Sequence, residues 1–103
     1  MLLVTTETIS GKEFETLGLV SGSMVQSKNA FKDIGAGLKS LVGGELVSYT
    51  KMMQEARDVA TNRMIEQAQQ MGADAVVNVR FASSAVMQGA AEIMASGTAV
   101  KFK

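Results

Sequence analysis

The feature that most constrains this chain is an unbroken helical pattern from Glu45 to Met71. Leu46, Tyr49, Met53, Ala56, Ala60, Met64, Ala68 and Met71 recur at spacings of three or four, which is one face of an α-helix. No proline interrupts the run, Glu45 suits the positive end of the helix dipole, and Gly72 stands where a left-handed cap belongs. At about 1.5 Å per residue the helix runs about 40 Å. Its packing partner must be comparably long. The alanines on the apolar stripe let that partner lie close.

The remaining segments supply a sheet. Leu2 to Thr6 is apolar and β-branched, which predicts a short first strand. Phe14 to Val25 alternates, with Leu17, Leu19, Ser21, Ser23 and Val25 on one side and Gly18, Val20, Gly22 and Met24 on the other; its glycines predict a bend or bulge. Ala73 to Ser83 gives a third strand, with Ala75, Val77, Val79 and Phe81 opposite Val76, Asn78 and Arg80. "SSAVMQGA", Ser83 to Ala90, reads as a turn or loose connection. Glu92 to Lys103 gives a fourth strand, with Ile93, Ala95, Gly97 and Ala99 opposite Met94, Ser96, Thr98, Val100 and Phe102. A weaker helical pattern (Phe31, Ile34, Leu38, Leu41) occupies Asn29 to Val42.

These elements predict an α+β fold in one domain, residues 1–103. The expected architecture is a two-layer sandwich, a mainly antiparallel four-stranded sheet with one long helix and one short helix. One helix covers one sheet face. On the other face the alternation leaves Val20, Met24, Val76, Met94, Val100 and Phe102 among polar neighbours, the signature of an oligomer interface. Hydrophobic residues make up 47% of the 103, and a domain of this size buries only about 60–65% of its unfolded surface.

Composition removes several classes of function. Ten basic and ten acidic side chains cancel, and the basic ones are scattered, with only Lys28, Lys32 and Lys39 near one another. Nucleic-acid binding, which draws its affinity from clustered cations, is therefore not expected. There is no cysteine and no histidine, so disulfides and Ser-His or Cys-His catalysis are excluded. "MLLVTTETIS" lacks the basic start and apolar run of a signal peptide, and no window reaches the roughly 18 apolar residues of a membrane span. A cytoplasmic protein is expected, with no membrane partner.

Motifs that suggest chemistry fail on inspection. "DIGAGLKSLVGGE", Asp33 to Glu45, is not a phosphate loop: Leu38 separates Gly37 from Lys39, and Ser40 stands where a dinucleotide fingerprint needs its third glycine. It reads as a joint between helices, with Gly43-Gly44 stopping one and opening the next. Ser48 and Lys51 match S-x-x-K without the companion motifs of the enzymes that use it. Glu55 and Asp58 lie on the helix's polar side, and Arg63 with Glu66 reads as a surface pair. Met53, Met64 and Met71 lie on the apolar stripe, where thioethers fill gaps in a core rather than bind copper. No enzymatic constellation is present in the sequence.

"DIGAGLKSLVGGE", "YTKMMQEARDVATNRM", "GADAVVNVRF" and "SGTAV", in that order, resemble the YbjQ-like family of small bacterial and archaeal proteins, labelled as heavy-metal-binding. The resemblance spans nearly the whole chain. It implies a dodecin-like subunit assembled into a homo-oligomeric ring, a pentamer in relatives. The matching motif positions include Asp33, Gly37, Gly43, Gly44, Tyr49, Arg57, Gly72, Ala73, Gly97 and Thr98. In this chain Ser96 takes the place of the aromatic residue expected before Gly-Thr, and Arg57 with Asp33 suggests an ion pair. A metal ion is the cofactor implied by the family label, although thiolate and imidazole ligands are missing.

The expected function is a homo-oligomeric binding module that holds a small ligand or metal ion at subunit interfaces. Asn78, Arg80, Ser96 and Thr98 are the candidate residues, polar side chains expected on the uncovered sheet face. The alternative is a purely structural or protein-interaction ring without a small-molecule site.

Overall fold

The structure, a computed structural model, describes residues 1–26, 44–87 and 90–103. Its elements are β1 (Leu2–Leu3), β2 (Phe14–Gln26), α1 (Gly44–Gln70), β3 (Ala75–Met87) and β4 (Ala90–Phe102). The sheet has the order β1-β3-β4-β2. β4 pairs antiparallel with both β2 and β3, whereas β1 runs parallel to β3, so the sheet is mixed. The expected short helix, with Asp33, Gly37 and Gly43, lies outside the described residues.

The strands are as long as the helix demands. β2, β3 and β4 have 13 residues each, about 43 Å at about 3.3 Å per residue. The 27 residues of α1 span about 40 Å. The segment read as a connection is in fact strand: Ser83, Ser84 and Ala85 pair with Ile93, Glu92 and Ala91, and β3 ends only at Met87. Small side chains gave that segment no hydropathy contrast, but its backbone pairs with β4, with a register shift between Ala85 and Met87. The first strand is shorter than expected, Leu2–Leu3, although backbone bonds to β3 continue through Val4 and Thr6.

Helix and sheet meet through small residues. Ala56, Ala60, Met64 and Ala68 are fully buried and pack against Val20, Val76, Val79, Ile93, Ala95 and Ala99. Met53 is half-buried beside them, and Met71, expected on the same stripe, is 39% exposed because the helix has already ended. The closest approach is at Gly22. A Cβ there would collide with the Ala60 carbonyl oxygen and the Met64 amide nitrogen, and would lie 2.7 Å from Arg63 Cβ. Only a glycine admits the helix at this crossing.

The C-terminus of α1 closes in a Schellman motif. Gly72 adopts φ 78°, its N–H donates to Gln69 O at 3.0 Å, and the Ala73 N–H donates to Ala68 O at 3.1 Å. Asp74 ties this cap to β4. Its N–H donates to Val100 O, its Oδ2 accepts from the Phe102 N–H at 2.8 Å, and Lys101 Nζ stands 3.8 Å away.

The assignment of faces needs correction. Val20 and Val76, expected on the uncovered face, are buried under α1, and Met24 packs at the margin of the same core. Leu19 and Val25 point outward instead, 77% and 54% exposed. In β3 the alternation breaks at Asn78, whose φ of 55° marks a bulge opposite Gly97. Val79 therefore joins Val76 on the helix side, rather than sitting with Ala75 and Val77.

The outer face is also half covered. Ala75, Val77 and Val100 form a second cluster with Val4, Ile9, Phe14 and Phe102 packed against it. The chain's first segment thus supplies part of the cover expected from another subunit. Over the rest of that face Leu19 and Val25 stay exposed.

Candidate functional site

The four polar candidates fall around the bulge in β3. Arg80 is the register partner of Ser96, and Thr98 is the partner of Val77. Directly opposed residues of an antiparallel pair share a face, so Arg80, Ser96 and Thr98 lie together on the outer face. Asn78 sits within the bulge itself and leaves the alternation, its N–H donating to Thr6 O at 3.0 Å.

Arg80 already has structural duties. Its Nη1 donates to Thr5 O and to Val79 O, each at 2.8 Å, which fastens the first segment across β3. Ser96 and Thr98 are half-buried beside it. The result is a polar patch on the outer face, with Leu19 directly opposite Thr98 and Val25 further along β2.

A second concavity lies on the helix side. α1 rides over β2 and β4 and barely touches β3, so a cleft opens between the helix and the β3–β4 hairpin. Met53, Arg57, Phe81, Ala82, Ser83 and Ile93 line about 140 Å³. Phe81 is 51% exposed within it. Sequence reading missed this cleft, because it depends on how far the helix lies from β3.

The sheet edges differ. On β2, Gln67 Oε1 accepts from the Ser21 N–H at 2.7 Å, and Arg63 Nη1 donates to Ser23 O. Arg63 thus caps the strand edge, where the sequence suggested a surface pair with Glu66. Among the described residues nothing pairs with β3 beyond Val79 on the side away from β4.

A small α+β domain with a long helix on a mixed sheet, and no catalytic constellation among the described residues, defines the class. The chain belongs to the YbjQ-like family, described as "Putative heavy-metal-binding", whose profile matches residues 1–103. Similar proteins include the UPF0145 protein of Clostridium novyi, 63% identical over 102 residues with 99% of each chain covered. The UPF0145 protein of Methanosarcina acetivorans is 62% identical over 103 residues, covering 99% of this chain and 97% of its own. Neither name states a reaction. A crystal structure of a protein of unknown function from Pediococcus pentosaceus superimposes with a TM-score of 0.70 at 12% identity, covering 100% of this chain and 98% of that one. That likeness shows a shared fold.

The family positions can now be placed. Gly44 opens α1, Tyr49 lies within it, Gly72 is its cap, and Arg57 lines the cleft. Gly97 lies opposite the β3 bulge, where a Cβ would stand 2.6 Å from Val76 Cγ1. The side chains do not fit the heavy-metal description. The chain has no cysteine or histidine, and among the described residues no three acidic side chains converge. Among the described residues, no helix is long and apolar enough to cross a membrane.

Proposed function

We propose that this protein is a homo-oligomeric binding module, not an enzyme, which holds a small ligand at subunit boundaries. The observation that carries this reading is the outer sheet face, half covered by the first segment and otherwise exposing Leu19 and Val25. Exposed apolar side chains on a sheet face are stabilised by burial against a second copy, at about 25 cal/mol per Å² removed from water. Among the described residues nothing pairs with β3 beyond Val79 on the side away from β4, which leaves backbone groups for the same neighbour. The resemblance supports a ring of five. Arg80, Ser96 and Thr98 border the exposed half, so a ligand held there would touch two subunits.

Native mass spectrometry of protein purified without added metal or chelator tests this. The expected result is a closed assembly with extra mass per interface. Leu19→Glu combined with Val25→Glu should yield a folded monomer, and Ser96→Ala with Thr98→Val should keep the assembly and lose the extra mass. A wild-type monomer would overturn the assembly. A closed assembly at bare polypeptide mass would favour the purely structural ring.

A further inference from the structure

We infer that the cleft between α1 and the β3–β4 hairpin is a binding site for a small carboxylate with an aromatic or branched apolar body. Two properties of the lining select this class. Met53, Phe81, Ala82 and Ile93 make the walls apolar, and Arg57 with Ser83 adds the polar groups. Among the described residues that line the cleft, Arg57 is charged and none is acidic, a lining that suits an anion better than a cation. Guanidinium is the side chain best matched to a carboxylate, because its parallel N–H donors meet both oxygens.

Size narrows the class further. A closed apolar cavity of about 150 Å³ accepts benzene, and this cleft, partly open to solvent, offers about 140 Å³. One ring or a branched body of five or six carbons fills it, with the carboxylate directed at Arg57. The half-exposed ring of Phe81 gives the body a surface to pack on. A soft metal is a poor occupant, since among the described lining residues the one sulfur is the Met53 thioether and a guanidinium stands beside it. All lining groups belong to one subunit, so this site does not depend on the assembly proposed above.

Methyl NMR with sodium benzoate as the probe tests the inference on the full chain. The Ile93 δ1 and Met53 ε methyls should shift saturably, while the buried Met64 ε methyl should not. Arg57→Gln should weaken binding about tenfold or more, and Arg57→Lys should recover only part of it. Benzylamine, a cation of the same shape, should leave the methyls unmoved. Absence of shifts, equal affinity in Arg57→Gln, or equal binding of benzylamine would overturn the inference. Native mass spectrometry on the same samples separates the two proposals. A monomer that binds benzoate removes the assembly alone, and an assembly that ignores benzoate removes this site alone.

Discussion

Gly22 and Gly72 are both indispensable, for different reasons. At Gly22 the obstacle to a side chain is the helix backbone, which cannot rotate away. Gly22→Ala must lift α1 off β2, and overpacking of this kind costs about 1–3 kcal/mol or more. At Gly72 there is open space around the Cβ position and only the backbone conformation objects. Gly72→Ala should cost about 1 kcal/mol. Thermal or urea denaturation should therefore rank Gly22→Ala as the more damaging, and the reverse order would refute the close approach. Met64→Ala, at a fully buried site, should cost about 2–5 kcal/mol in the same assay. The sequence made Met64 legible through its spacing from Ala60 and Ala68. It did not make Asn78 legible: asparagine tolerates a left-handed backbone, but nothing beside it announces that the strand bulges there.

Among the elements, α1 was the most readable and β3 the least. A 27-residue helix repeats its pattern enough times to define a face. β3 carries one residue that breaks its period and a tail of serine and alanine with no contrast, so half its facing residues were assigned to the wrong side. The half-cover of the outer face was not visible either, because it follows from β1 pairing parallel to β3, a long-range event. Arg80 holds that arrangement through the Thr5 carbonyl. Arg80→Ala should therefore loosen the first segment, and the Asn78 and Val79 amides, which donate to Thr6 O and Val4 O, should exchange faster with solvent. Unchanged exchange at both would assign the clamp to Val4, Ile9 and Phe14 packing alone. Lys101→Ala, which removes an exposed partner of Asp74 and leaves the Phe102 N–H bond to its carboxylate, should cost no more than about 1 kcal/mol.

For the whole molecule, the balance of ten basic and ten acidic side chains predicts how an assembly would respond to salt. Contacts built on Leu19, Val25 and backbone pairing should survive 1 M sodium chloride, since screening acts on exposed charges and leaves apolar burial intact. Light scattering that shows dissociation at high salt would place the interface on charged groups instead. The separation of the two layers is set by main chain meeting main chain at Gly22, with Arg63 Cβ beside the contact. This governs which genetic repairs exist. A damaging substitution in an ordinary core can be suppressed by shrinking a neighbour. Here the nearest neighbours are the Ala60 carbonyl and the Met64 amide, which every amino acid except proline presents alike, and the third, Arg63 Cβ, is lost only to glycine. A search for second-site suppressors of Gly22→Ala should therefore recover revertants, or changes that re-seat the whole helix, and none that merely trims residue 60 or 64.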